Sequence, residues 1–180
     1  QNLPTAVTLA VPNRMIFEDI NMLFQNKRFR LYFSEDIIGC QLGGAVKNIY
    51  AIAAGITMGL NLGENAKSAL IARSYVEITR LGKVLKAKPE TLFGLSGLGD
   101  LVLTCNSLKS RNTTFGNLIA SHQQISIEEH LKSQETTEGY FTAKAIKKIA
   151  EEKKITMPIM EAIYNILYNH SPILDEINKL

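Results

Sequence analysis

Residues 37–63, IIGCQLGGAVKNIYAIAAGITMGLNLG, carry a single formal charge, Lys47, in twenty-seven residues. A run this long and apolar is either a membrane span or the buried central helix of a helical domain. The composition favours the second reading. The run is built from Gly and Ala more than Leu, and it places Gln41, Lys47 and Asn48 near its middle, where a charge is costly in lipid. No second such segment follows, and no signal-peptide pattern precedes it. The run therefore reads as a buried helix of a soluble protein, with no membrane span.

On that helix Lys47 has Gly43 and Gly44 one turn before it and Ala51 and Ala54 one and two turns after it. All four are small, which leaves a trough around one ammonium group, roomy enough for a small ligand or another backbone. A lysine in apolar surroundings loses solvation, which disfavours its charged form and prepares it for proton transfer. The plainer alternative is a core helix whose lysine snorkels outward or finds a carboxylate.

Working outward toward the N-terminus, Thr5–Ala10 (TAVTLA) reads as a short buried strand. Met15, Ile16, Ile20, Leu23 and Phe24 then follow at helical spacing, and residues 29–33 (FRLYF) alternate like a second strand. Two strands around one helix lack partners for their edges and faces. With a chain that starts at Gln1 in a strand lead-in, residues 1–35 are expected to be the C-terminal end of a truncated α/β domain. Residues 36–180 are expected to form an all-helical domain, opened by Ser34 or Asp36 as a helix cap.

Beyond the central run nothing reads as strand. Gly55, Gly59 and Gly63 recur every fourth residue, which allows close helix packing or marks unwinding. A helix is expected from Glu64 to about Ala87, stopped by Pro89, with Arg73, Glu77 and Arg80 on one solvated or internally paired stripe. Further helices are expected from Thr113 to about Ser121, over 138–154, from Pro158 and from Ser171-Pro172 to Leu180, with a polar stretch over 122–137.

At 46% hydrophobic and 21% charged residues the composition is that of an ordinary globular protein, and a net charge of +3 is too mild to imply nucleic acid. Cys40 and Cys105 lie in apolar stretches and read as reduced thiols of a cytoplasmic protein. His122, His130 and His170 are scattered, so no metal site is expected. Gly97-Leu-Gly99 fails the dinucleotide fingerprint because Val102 holds its last glycine position.

Three clusters carry candidate chemistry. Lys47 with Asn48 supplies a proton carrier and a neutral amide. Asp100 sits beside Gly97 and Gly99, with Thr104 one turn on, and is a second functional carboxylate or a plain helix cap. Ser110-Arg111-Asn112 combines a cap, a planar donor fork and an amide at a helix start, which suits a phosphate or an ordinary surface cap.

Together the motifs LGGAVKN (42–48), GLGDLVLTC (97–105), SRN (110–112) followed by FG, and EGYFTAK (138–144) resemble the C-terminal half of bacterial NAD(P)-dependent glycerol-3-phosphate dehydrogenase. LPTAVTLA (3–10), RFRLYFSEDIIG (28–39) and MPIMEAIYNILY (157–168) match in the same order, so the resemblance spans essentially the whole chain. It implies a helical C-terminal dehydrogenase domain of the 6-phosphogluconate dehydrogenase type, after a β-α-β remnant of a Rossmann domain. It also implies the interconversion of dihydroxyacetone phosphate and sn-glycerol 3-phosphate for glycerophospholipid synthesis, with NAD or NADP bound mostly by a missing half. By resemblance Lys47 and Asp100 are catalytic. Substrate would be held by Lys47, Asn48, Asp100, Thr104, Ser110, Arg111 and Asn112, and cofactor touched by Arg111 and Glu138. Where the family often has an arginine three residues after that glutamate, this chain has Phe141. A homodimer is expected. The alternative is a non-catalytic helical module for dimerisation or partner binding, and a weaker one is a sister dehydrogenase acting on another hydroxy acid.

Overall fold

The structure, a computed structural model, describes residues 3–24, 26–121, 127 and 137–180. The polar stretch expected over 122–137 therefore lies almost wholly outside the described residues, as do His122 and His130.

The chain opens as β1 (Thr5–Ala10), α1 (Arg14–Phe24) and β2 (Phe29–Ser34). The strands pair in parallel, from Thr5 with Phe29 to Ala10 with Ser34, so α1 is the crossover between them. Phe17 is the buried residue of α1 and meets Phe33 with ring centroids 5.3 Å apart. Met22 and Leu23 of the same helix stay 76% and 82% exposed, so this face has no cover among the described residues.

The helical part opens on a capped helix. Asp36 caps α2 (Ile37–Gly59) by accepting from Gly39 N at 2.8 Å, and Ser34 Oγ accepts from Asp36 N at 3.1 Å. The second carboxylate oxygen of Asp36 accepts from Lys88 N; desolvation is the largest single influence and raises its carboxyl, but the backbone donors at Gly39 and Lys88, the Thr91 side chain and the Lys88 charge together hold it below the usual range.

α2 is the axis of the helical part. Val46, Ile49, Tyr50, Ala51, Ile52 and Ala54 are sealed from solvent. The helix packs against α3 (Gly63–Leu85), α5 (Asp100–Cys105), α6 (Arg111–Ala120), α7 (Glu138–Lys153) and α8 (Pro158–Tyr168). By length and hydropathy α2 could cross a membrane, but 61% of its most apolar window is buried against these neighbours. It is a core helix.

Both readings of the glycine spacing hold, at different positions. A Cβ on Gly55 would strike the carbonyl of Thr113, and one on Gly59 would lie 2.6 Å from the carbonyl of Asn117, so here α6 lies backbone to backbone on α2. Gly63 has a φ of +87°, a left-handed turn that separates α2 from α3. Gly55→Ala should gain a little helix propensity and lose far more by wedging α6 away. A net loss of about 2 kcal/mol is expected in denaturant titration of the purified chain.

Two expectations need correction. Pro89 does not stop α3; Lys86 does, in the left-handed conformation at φ 63°, and Pro89 instead starts the short helix α4 (Pro89–Phe93). Pro has no N–H to lose at a first helical position, so it begins a helix as readily as it ends one. The stripe Arg73, Glu77, Arg80 is also not one face in its surroundings. The arginines lie at the surface and donate to the carbonyls of Leu180 (2.7 Å) and Thr156 (3.1 Å), whereas Glu77 is 2% exposed. Its carboxylate accepts from Tyr50 OH (3.1 Å), Ile159 N (2.7 Å) and Met160 N (3.1 Å), tying α2 and α3 to the start of α8. The chain closes with α9 (Ile173–Ile177), which ends three residues short of the expected Leu180.

Candidate active site

Lys47 stands eleven residues into α2, and its trough is half filled. A Cβ on Gly43 would strike the carbonyl of Ser96, so a π-helical turn over Leu95–Gly99 occupies that side. Nothing lies within 4 Å of the corresponding point on Gly44, which leaves the other side open. Of the glycines before Asp100, Gly97 serves packing: a Cβ there would run into the carbonyl of Leu92, whereas one on Gly99 would meet only ordinary contacts.

The π-helical turn delivers Asp100 to the first position of α5. Its carboxylate does not cap that helix, which has no side-chain cap; it accepts from Lys47 Nζ at 2.5 Å. The two side chains are 22% and 29% exposed, a partly screened pair with water on one side. Lys47 thus carries a counter-charge instead of sitting in purely apolar surroundings, and both readings of the sequence meet in it. Thr104 Oγ1 donates to the Asp100 carbonyl (2.6 Å) and lies 3.3 Å from Oδ1, as its place one turn on requires. Asp100 also lines a cleft of about 390 Å³ whose other wall is Ala6, Val7 and Thr8 of β1.

The third cluster meets Asn48 instead of Lys47. Ser110 caps α6 by accepting from Thr113 N at 3.3 Å, which places Arg111 and Asn112 in the first turn. Arg111 is half exposed and donates from Nη2 to Glu138 Oε1 at 2.9 Å. Asn112 is 3% exposed; its Nδ2 donates to Asn48 Oδ1 (3.1 Å) and its Oδ1 accepts from Gly139 N (2.8 Å). Asn48 Nδ2 in turn donates to Glu138 Oε2 at 3.3 Å. Thr113 Oγ1, donating to the Thr104 carbonyl at 2.8 Å, fastens α6 to α5 and so links the two clusters.

Seven of the eight candidate residues therefore fall into two joined groups, Lys47–Asp100–Thr104 and Asn48–Arg111–Asn112–Glu138, while Ser110 reaches the second only as the cap of the helix that carries Arg111 and Asn112. Sequence reasoning missed Thr113 and Gly139. Phe141 stands 61% exposed, edge-on to Tyr140. Among the described residues no group of three or more His, Cys, Asp or Glu could hold a metal ion.

Comparison with known proteins shows the family. The family described as NAD-dependent glycerol-3-phosphate dehydrogenase C-terminus matches residues 36–178. Glycerol-3-phosphate dehydrogenase [NAD(P)+] of Bacillus cereus strain AH187 is 45% identical over 177 residues, covering 98% of this chain and 52% of its own length. The crystal structure of glycerol-3-phosphate dehydrogenase from Coxiella burnetii superposes with a TM-score of 0.92 at 40% identity, over 99% of this chain and 55% of that one. The Saccharomyces cerevisiae enzyme superposes with a TM-score of 0.86 at 25% identity, over 98% and 54%. The chain thus spans about half the length of the relatives it matches. A family match across 36–178 and agreement in backbone lead to one conclusion: this chain belongs to the C-terminal family of the NAD-dependent glycerol-3-phosphate dehydrogenases.

Proposed function

We propose that the chain is the substrate-binding and catalytic half of an NAD(P)-dependent glycerol-3-phosphate dehydrogenase. It would interconvert dihydroxyacetone phosphate and sn-glycerol 3-phosphate, the backbone precursor of glycerophospholipids. The observation that carries this reading is the 2.5 Å contact of Lys47 Nζ with Asp100, at the wall of an open cleft, in a chain of this family.

When bound, the dinucleotide supplies the hydride that converts the C2 carbonyl to an alcohol. Lys47 delivers the proton to the carbonyl oxygen and withdraws it in the reverse direction. Asp100 holds the amine in place and accepts hydrogen bonds from substrate hydroxyls; Thr104 fixes Asp100. Ser110 and Arg111, at the N-terminus of α6, hold the phosphate, with the guanidinium as a planar fork and the helix start as a second source of N–H groups.

Arg111 and Glu138 are half exposed and polar, which fits a contact with the edge of the dinucleotide. No glycine-rich phosphate turn is available in this sequence, so the rest of the cofactor belongs to a preceding half. In this reading residues 1–35 are the end of that cofactor domain and residues 36–180 the substrate domain. The uncovered apolar side chains of α1 support the division.

Both cysteines are free, and burial pushes the Cys105 thiol up to about 12, so it stays an inert core thiol as a reducing cytoplasm would keep it. The full protein would act as a homodimer, which light scattering checks. The rival module reading loses its main support, because the Gly55 and Gly59 face is already taken by α6 of the same chain.

The test is the full-length protein assayed for dihydroxyacetone phosphate-dependent oxidation of NADH and NADPH. Turnover is expected from the full protein and none from these 180 residues alone. Glycerol 3-phosphate should raise the melting temperature of the full protein, and Arg111→Ala should abolish that shift. A melting temperature that depends on protein concentration and ignores this ligand would favour the module.

A further inference from the structure

Three contacts run along one stripe of α2. Cys40, Gly43 and Lys47 stand at i, i+3 and i+7, and each meets the π-helical turn or the residue that it delivers. Cys40 Sγ lies 3.5 Å from Ser96 Oγ, a Cβ on Gly43 would strike the Ser96 carbonyl and lie 3.1 Å from Gly97 Cα, and Lys47 Nζ reaches Asp100 Oδ2. The turn is closed by Gly99 N donating to the Gly94 carbonyl at 3.1 Å, and Asp100 follows it directly. Its other side has no slack either, because a Cβ on Gly97 would run into the Leu92 carbonyl. The turn is wedged between α2 and α4 with a glycine at each contact. Glycine in a helix interior disfavours the helix, so bare backbone at residue 43 has to be offset by the approach that it permits.

We propose that Gly43 is a positioning residue for proton transfer: by letting the Ser96 carbonyl rest on the backbone of α2, it sets how far Asp100 stands from Lys47 and so where the ammonium is held. The proposal rests on the dehydrogenase reading and deepens it. Ser96 lies in the π-helical turn and Asp100 opens the helix that continues from it, so the turn acts as a strut between Gly43 and the Lys47 amine. A methyl group at residue 43 would push the Ser96 carbonyl back by about an ångström before ordinary contact is reached. Asp100 goes with it, and the ammonium either loses its acceptor or follows it out of aim. A reacting group misplaced by roughly 1 Å forfeits up to about a hundredfold in rate. Gly43 acts wholly through Ser96 and Asp100, since it is buried and its own face is covered by the turn.

The test uses the full-length dehydrogenase. Gly43→Ala should lower kcat about 10- to 100-fold, with KM for substrate and for dinucleotide within about fivefold. Asp100→Glu adds one methylene, roughly the ångström that the methyl group takes away. Alone it should cost about tenfold in kcat. Combined with Gly43→Ala it should bring kcat back to within about fivefold of wild type, above either single variant. Gly59→Ala is the control, the same change on the same helix, pressing on the Asn117 carbonyl far from Lys47. It should lower the melting temperature and leave kcat within about threefold. A Gly43→Ala enzyme with wild-type kcat, a double variant no faster than Gly43→Ala, or an equal loss of kcat in Gly59→Ala each overturns the proposal. Should Gly43→Ala not fold, Cys40→Leu presses on Ser96 from the same stripe at a half-buried position. A fall in kcat of about threefold or more then supports the strut, and wild-type kcat overturns it. Absence of turnover in the wild-type protein would instead refute the dehydrogenase reading itself.

Discussion

Replacing Lys47 by alanine is expected to lower kcat of the full-length dehydrogenase by about a thousandfold, with the substrate KM changed far less. Positioned general acids contribute roughly 10²- to 10⁴-fold. Lys47 stands in the middle of that range because its ammonium is aimed by a partner: Asp100 accepts from it at 2.5 Å, with Thr104 Oγ1 3.3 Å from the other carboxylate oxygen. No other lysine makes an ion pair with Asp100 among the described residues. The phosphate grip proposed for Ser110 and Arg111 lies at the start of α6 and would not depend on Lys47, which is why binding should survive. Steady-state kinetics in both directions measure the loss, and circular dichroism confirms that the helix persists.

The second large effect is on stability. Glu77→Ala should destabilise the chain by about 4 kcal/mol, because it strands the Ile159 and Met160 N–H groups and the Tyr50 hydroxyl in a sealed interior. Denaturant titration of the variant checks it. Glu77 also carries a pH signature. Burial pushes its carboxyl above the ordinary value of 4.5, against the pull of the two backbone donors, Tyr50 and Arg80. The folded chain then holds this proton more tightly than the unfolded one. The resulting stability is full below pH 4.5 and is lost as pH rises through the folded value. Glu77→Gln removes the proton, so the stability of wild type relative to this variant should decline with rising pH across that window. A flat difference would contradict the assignment.

Local chemistry made much of the fold readable. Alternation over residues 29–33, the Asp36 cap and the Ser110 cap each act over a few residues, and each appears where the sequence places it. Pro89 was ambiguous because one residue type serves both ends of a helix, and the true stop, Lys86 at φ 63°, has no distinctive side chain. Glu77 was misleading for another reason: helical spacing groups it with Arg73 and Arg80, while its partners lie 27 to 83 residues away. The site divides the same way. Lys47 and Asp100 were legible as residues and, through the family motifs, as a pair. The hydrogen bonds among Asn48, Asn112, Glu138 and Gly139 were not, because they join positions 27, 64 and 90 residues apart and no spacing rule connects them.

The most direct test of the central claim, that Lys47 is the proton carrier, is rescue of the full-length Lys47→Ala variant by small primary amines. Saturable recovery of kcat with added methylamine or ethylamine, graded by amine basicity and absent in wild type, is the predicted result. A variant that turns over within a few-fold of wild type without amine, or one that stays inactive with every amine while binding substrate normally, would contradict it.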